Sequence, residues 1–310
     1  MISILDNVDE FSKLTWVSMA NVQATRLNNL NVDEFLRRTC YLDFNQVVDI
    51  FKLIEKTNGN LFYGKGLELG AGAGLFSSVI STYPSVSEIW ALDCIENFVK
   101  LLQPKTINKY GEKNKITSVL GSFDNLSYFE SNYFDFIFQY DALHHSNDLN
   151  KVLNQCNRVL KKSGKIISID RVQANRISDV MIKRKLNIEY KQDYFDTHLK
   201  SFVRGYKRQD NGEHEIREKE WIVSFQRNKF KNVKITKYIN YNIKSFIKLA
   251  ISYLPDWILK RTRFRYLVGE NFFLYIIGFF RKNIPSNQGK FINMKNLKIH
   301  KNLSLLICEK

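Results

Sequence analysis

The feature that most constrains the fold of this 310-residue chain is a run of closely spaced glycines after an apolar segment. The run reads Gly66-Leu67-Glu68-Leu69-Gly70-Ala71-Gly72-Ala73-Gly74, with apolar residues at 61–69 before it and at 75–80 after it. This order predicts a buried strand, a turn and then a helix. The glycines at 70, 72 and 74 let the backbone bend sharply and approach a ligand, because no Cβ stands in the way.

An acid follows the next predicted strand at the spacing that a nucleoside requires. The apolar segment 87–93 ends at Asp93, 19 residues after Gly74. One strand–helix unit therefore brings a carboxylate to the neighbouring strand end, where it can accept both ribose hydroxyls. The turn itself reads G-x-G-x-G, not the phosphate-binding pattern G-x-G-x-x-G, and Glu68 precedes it. Glu68 would repel a phosphate and could pair with an ammonium group.

Three further apolar segments, 115–121, 133–140 and 165–170, predict strands. Phe123-Asp124 follows the first of them, and Asp141-Ala142-Leu143-His144-His145 follows the second. Helical segments separate the strands. Five successive strand–helix units predict a parallel sheet with right-handed crossovers.

Together these motifs resemble the class I S-adenosylmethionine-dependent methyltransferases of the small-molecule or glycan type. E-L-G-A-G-A-G is similar to the family's first motif and R-V-L-K-K-S-G-K-I-I-S-I-D to its fifth strand, over about residues 62–172. The resemblance implies an α/β fold: a Rossmann-like, seven-stranded sheet flanked by helices, with helical insertions over the carboxyl edge. It implies S-adenosyl-L-methionine as cofactor. The cofactor-binding residues that it implies are Glu68, Gly70, Ala71, Gly72, Gly74, Asp93, Cys94, Phe123, Asp124, Gln139 and Tyr140.

Catalysis on a hydroxyl requires a base, and histidine suits that task near neutral pH. His144 and His145 follow the fourth strand, and His214 stands at the start of a helix predicted over 215–230. We expect His145 or His214 to be the base, with His144 as a third candidate and Asp141 orienting the acceptor or a histidine. No metal site is predicted, because adjacent histidine rings converge poorly on one ion.

The chain divides into a core and additions. Residues 1–60 predict a helical N-terminal cover, and residues 61–240 with 303–310 predict the methyltransferase core. Insertions are predicted at 172–212 and 241–302. Both leave the carboxyl ends of strands, where open α/β sheets bind ligands, so we expect them to recognise the acceptor.

The second half of the chain carries the positive charge. Residues 1–170 hold 17 Lys and Arg against 19 acids, whereas residues 171–310 hold 30 against 12. The segment 241–302 interleaves these cations with aromatic runs. It can pack on the core, form a homodimer contact, meet an anionic membrane surface or bind a polyanionic substrate, and the sequence leaves these open. The charge favours an acceptor with a phosphate, such as a sugar on a nucleotide or a lipid carrier.

The expected function is O-methylation of a small molecule or glycan by a cytoplasmic protein, with peripheral contact at the inner membrane face left open. The longest apolar run, Phe272 to Phe280, is too short to span a bilayer. RNA methylation is the rival that a net charge of +16 favours. The N-P-P-Y, D-P-P-Y and Pro-Cys motifs of nucleobase enzymes are missing, so a nucleic-acid partner is not expected. A non-catalytic binding protein of the same fold is the third alternative.

Overall fold

A computed structural model describes residues 2–4, 15–239, 291–293 and 303–310 of the chain. Two compact units are present: Met1–Lys234 with Leu305–Lys310, and Ile235–Ser304. Every site residue predicted from the sequence belongs to the first unit. The predicted insertion at 241–302 lies outside the described residues, except for 291–293.

The described residues contain both strands and helices. The strands are β1 (Ile2–Ile4), β2 (Gly64–Leu69), β3 (Val86–Asp93), β4 (Ile116–Leu120), β5 (Phe134–Tyr140), β6 (Leu160–Asp170), β7 (Lys231–Ile239), β8 (Phe291–Asn293) and β9 (Leu303–Glu309). The helices are α1 (Thr15–Leu27), α2 (Val32–Thr39), α3 (Phe44–Asn58), α4 (Leu75–Ser81), α5 (Gln103–Tyr110), α6 (Leu149–Val159), α7 (Asp179–Leu186), α8 (Gln192–Thr197) and α9 (Glu218–Arg227). None of these helices combines the length and hydropathy needed to cross a bilayer.

The strands of the first unit form one sheet in the order β1-β4-β3-β2-β5-β6-β9-β7. The neighbours from β1 to β6 are all parallel. The amide of Lys310, just after β9, donates to the carbonyl of Gly164 near the start of β6 (3.0 Å), so β9 runs antiparallel to β6. The predicted α/β class is confirmed.

The predicted number of seven strands is wrong for the described part of the first unit, which has eight. The additional strand is β1, which pairs with β4 at the sheet edge. Three residues show no period that distinguishes a strand from a loop. In the second unit β8 pairs in parallel with the end of β7, for example Lys237 with Phe291.

One predicted boundary also differs, and one glycine has a packing role. Helix α6 ends at Val159, and the left-handed residue before Gly164 is Ser163 (φ +67°). A Cβ on Gly164 would lie 3.1 Å from the carbonyl oxygen of Asp135, so this glycine is needed for close packing of β6 on β5. The helix predicted at 215–230 begins only at Glu218, because the preceding segment is paired with Gln173.

The centre of the core lies on β2 and β5 under α3. Phe51 of α3 packs edge-on against Phe138 of β5, with ring centroids 5.4 Å apart. Gly66 of β2 lies opposite Phe136 of β5, and its missing side chain leaves room for the Phe136 ring. The strand that precedes the glycine turn is therefore held at the middle of the sheet.

We predict that Gly66→Ala destabilises the protein by about 1–3 kcal/mol, the usual cost of overpacking a core. The new Cβ would lie 2.1 Å from Cζ of the buried Phe136 ring, which must move. Urea unfolding followed by circular dichroism measures the loss. Phe136→Leu is the matched partner: the double variant should lose less stability than the sum of the single losses. Additive losses would contradict the predicted clash.

Candidate active site

The turn between β2 and α4 is left-handed at each glycine, with φ of +67° at Gly70, +52° at Gly72 and +80° at Gly74. The amide of Ala71 donates to the carbonyl of Leu92 in β3 (2.9 Å), which ties the turn to the next strand. A Cβ at Gly72 would meet no atom of the described residues within 4 Å. The turn therefore offers backbone and open space at the carboxyl edge of the sheet, where such sheets bind ligands.

Asp93 ends β3 and holds this turn from the side. One of its carboxylate oxygens accepts the amide of Gly72 (2.7 Å) and the other accepts the amide of Ile95 (2.8 Å). Burial raises the pKa of Asp93 to about 6, although these hydrogen bonds oppose the rise. Each oxygen keeps a further acceptor position, so the carboxylate is able to bind two ribose hydroxyls.

Glu68 is buried within β2, and the hydroxyl of Ser77 in α4 donates to its carboxylate. Burial raises the pKa of Glu68 to about 8, with a further contribution from Asp93, while Ser77 lowers it. The contact with Ser77 fixes the start of α4 on β2. Pairing of Glu68 with an ammonium group stays a prediction.

Phe123, Asp124 and Cys94 lie beyond the ends of β4 and β3. The Phe123 ring lies 3.9 Å from the position that a Cβ on Gly70 would take, so the ring and the glycine turn are neighbours. Burial raises the pKa of the Asp124 carboxyl and that of the Cys94 thiol. Contact of these side chains with an adenine ring stays a prediction.

Gln139 and Tyr140 at the end of β5 make contacts inside the protein. The side-chain carbonyl of Gln139 accepts the amides of residues 142–143 (3.0 and 3.2 Å), and its amide donates to Ser168 of β6. The ring of Tyr140 stacks on Phe76 of α4 with centroids 4.5 Å apart. Gln139 therefore holds the loop that carries the two adjacent histidines.

His144 is a buried cation between two carboxylates. Its Nδ1 lies 2.7 Å from Asp170 at the end of β6, and its Nε2 lies 3.5 Å from Glu213. Burial lowers the pKa of His144, but the two acids outweigh burial and the result is about 9. For Glu213, burial is opposed by His144 and Arg171, and the pKa falls to about 2. At neutral pH neither nitrogen of His144 is free to accept a proton.

His145 has the opposite charge state. Its Nδ1 lies 2.8 Å from the carbonyl oxygen of Gly212, which can only accept, so Nδ1 carries the proton. Burial and the neighbouring His144 cation lower the pKa of His145 to about 4. The indole of Trp16 in α1 stacks on the imidazole, with centroids 5.9 Å apart. The ring is therefore neutral at pH 7 and carries its lone pair on Nε2.

Asp141 is paired with an arginine that the sequence did not indicate. The backbone of Asp141 is left-handed (φ +53°), and its carboxylate accepts from Nε (2.8 Å) and Nη2 (3.1 Å) of Arg171. Arg171 also binds Glu213. The pair fixes the first residue after β5 to the first residue after β6.

His214 lies on the segment before α9 and not at the helix start. Its Nδ1 bonds to the carbonyl of His144 (2.8 Å), and the side chain is exposed. The structure thus brings all three predicted histidines together, on one loop after β5 and one segment before α9.

Four residues that complete this cluster were missed: Trp16, Asp170, Arg171 and Glu213. Asp170 and Arg171 directly follow the apolar part of β6. Charged residues at the end of a predicted strand are a signal that could have identified both. Trp16 and Glu213 come from distant segments that show no motif.

His144, His145 and Glu213 offer atoms within 4.8 Å of one another, as a shared cation would need. The charge of Glu213 is already neutralised by Arg171 and Arg208, so the three side chains do not favour binding of a metal ion.

Comparison with known proteins identifies the class. Residues 67–168 match the model of a methyltransferase domain family. No curated protein matches the chain. The residues on the glycine turn and at the ends of β3 and β5 fit the cofactor that this family uses. The chain therefore contains a methyltransferase domain over residues 67–168, and S-adenosylmethionine is the cofactor of this enzyme.

The chain is also similar to solved structures. A "putative sarcosine dimethylglycine methyltransferase" from Galdieria sulphuraria aligns with a TM-score of 0.52 and 19% identity, covering 85% of each chain. A SAM-dependent methyltransferase from Archaeoglobus fulgidus aligns with a TM-score of 0.47 and 14% sequence identity, covering 84% of this chain and 94% of that chain. Phosphoethanolamine N-methyltransferase 2 from Haemonchus contortus aligns with a TM-score of 0.46 and 14% sequence identity, covering 91% of this chain and 60% of that chain.

We predict that the affinity for S-adenosylhomocysteine falls below pH 6. The pKa of Asp93 is raised to about 6, so its carboxylate is ionised above that pH and protonated below it. At pH 5 about one tenth of the carboxylates remain charged, and binding should be about tenfold weaker than at pH 7. Titration calorimetry between pH 5 and 7 measures the change. Asp93→Asn should bind weakly with no such dependence, and a flat wild-type profile would contradict the role of Asp93.

Proposed function

We propose that this methyltransferase acts on a hydroxyl group of a small molecule or glycan. The observation that supports the proposal is the state of His145, whose Nδ1 proton is held by Gly212 while Nε2 makes no hydrogen bond among the described residues. When bound, S-adenosylmethionine supplies an electrophilic methyl group on a sulfonium. The protein has to hold the acceptor in line and remove its proton.

The low pKa of His145 is compatible with this task. A hydroxyl oxygen that gains a methyl group becomes strongly acidic while it still carries its proton. A weak base can accept that proton, provided that it is neutral beforehand and correctly placed. Stacking on Trp16 and the hydrogen bond to Gly212 fix the imidazole ring, so its Nε2 is available in one orientation.

The other candidates take supporting parts in this proposal. The His144 cation lies between Asp170 and Glu213 and keeps His145 neutral. Asp141 is already occupied by Arg171, so it orients the loop through that pair. His214 is the second candidate for the base, because its Nδ1 is held by the His144 carbonyl in the same way.

The reaction type can be tested by the product. We expect tritiated methyl groups from S-adenosylmethionine to enter small molecules or glycans with free hydroxyls, and the products to show O-methyl signals in NMR spectra. The panel should contain matched acceptors with an amine in place of the hydroxyl, and a total RNA sample. Label found only in N-methyl products or only in RNA would overturn the proposal.

We predict that His145→Gln lowers kcat by about 10²- to 10⁴-fold, the range for loss of a general base. The affinity for S-adenosylhomocysteine should stay within about twofold, because His145 lies outside the cofactor-binding residues proposed here. His214→Gln is the matched control and should cost less than tenfold. A larger loss in His214→Gln than in His145→Gln would move the base to His214.

A further inference from the structure

Lys200 is a cation with no carboxylate partner, in a cluster where the neighbouring cations have one. It follows α8 within the predicted insertion 172–212, and its side chain is half-buried. Its ammonium donates to the hydroxyl of Tyr194 (3.0 Å) and to the side-chain carbonyl of Asn211 (3.2 Å). It forms no ion pair with a carboxylate of the described residues. One of the three ammonium protons is left without an acceptor.

The neighbouring charges are balanced without Lys200. Arg171 pairs with Asp141 and Glu213, and Arg208 pairs with Glu213 and Glu215. The remaining pairs are Lys185 with Glu215 and His144 with Asp170. Four cations thus meet four carboxylates, and Lys200 adds one positive charge in excess. A partly buried cation without an anion is costly unless a ligand supplies the anion.

The ring of Tyr194 lies next to this ammonium, at one end of a group of tyrosine rings. Tyr190 and Tyr194 stack with centroids 3.8 Å apart, and Tyr206 lies 6.1 Å from Tyr190. The ammonium lies 5.3 Å from the centre of the Tyr194 ring. Removal from water lowers the pKa of Lys200 to about 8, and Glu213 only partly opposes this. The rings therefore leave the charge poorly solvated and receptive to an oxyanion.

The position of Lys200 links it to the proposed base. Asn211, which accepts from Lys200, directly precedes Gly212, and the carbonyl of Gly212 holds His145. Two hydrogen bonds and one peptide link thus connect the ammonium to the imidazole. The Lys200 ammonium and the His145 ring are therefore held by the same short segment, Asn211-Gly212.

We propose that Lys200, with Tyr194 and Asn211, binds an anionic group of the methyl acceptor, a carboxylate or a phosphate. This inference rests on the proposed O-methyltransferase function and names the class of its substrate. Lys200 is then a residue that determines specificity and not a base. The acceptor then carries an oxyanion in addition to the hydroxyl that is methylated.

Inorganic phosphate and acetate are the probes for the full-length protein saturated with S-adenosylhomocysteine. Equilibrium dialysis with labelled probe should show a site that Lys200→Met weakens at least tenfold. Lys183→Met is the matched control, because Lys183 lies in α7 of the same insertion, is exposed and has no ion pair among the described residues; it should bind like wild type. If Lys200→Met loses affinity for phosphate alone, the acceptor is assigned as phosphorylated. If it also loses affinity for acetate, the site is assigned as one for oxyanions in general. Equal binding by wild type and Lys200→Met overturns the proposal.

A second measurement, on the wild-type protein, tests the site even if Lys200→Met does not fold. The wild-type protein is produced with ¹³C-labelled lysine, which leaves every ammonium unmodified, and the ¹³Cε signal of Lys200 is assigned by its absence in Lys200→Arg. Phosphate should raise the apparent pKa of Lys200 by about one unit or more, as expected for a nearby opposite charge. An unchanged pKa would contradict the site. Neither measurement needs methyl transfer, so a failure of the O-methylation proposal is seen separately.

Discussion

The arrangement of this active site depends on one constraint: a charge removed from water needs a partner of opposite sign. His144 lies fully buried between Asp170 and Glu213, and Arg171 joins Glu213 to Asp141. These contacts bring the ends of β5 and β6 together with Glu213, the first residue after the insertion. Removing one member would leave another charge buried without a partner, so the cluster can hold the insertion in place. The neutral state of His145 is a consequence, because the His144 cation beside it disfavours a second positive charge.

Uncharged contacts connect this cluster to the cofactor-binding edge. Gln139 holds the histidine loop to β6 through Ser168, and Tyr140 packs on Phe76 of the helix that follows the glycine turn. Trp16 packs against the group of α1 and Ile95, next to Asp93, and its indole stacks on His145. The cofactor side and the base side of the site are therefore supported by common elements.

The sequence was sufficient for the parts of the fold that depend on local patterns. Apolar runs ending in glycines or acids located β2 to β6 within a few residues, since a strand buried on both faces must be apolar along its length. The same strand ends marked Asp93, Asp141 and the two adjacent histidines. Contacts between distant segments could not be predicted in this way. Trp16 reaches the histidines from α1, and Glu213 reaches them from the residues just after the insertion. Neither segment has a period or motif that specifies a partner. Strand β1 was too short to leave a pattern.

The parts of the chain that local sequence reveals and the parts that it does not reveal correspond to two different tasks of the enzyme. Binding of a common cofactor needs backbone turns and strand-end acids, which the β2–β5 core supplies and which local sequence reveals. In the function that we propose, the choice of acceptor depends on the segment that carries Lys200, Asn211, Gly212 and Glu213. Within this one segment, Gly212 fixes the base, Glu213 fixes the charge cluster and Lys200 offers the unpaired cation. A change of acceptor in a related enzyme would therefore require changes in this segment first, while the glycine turn and Asp93 could stay as they are.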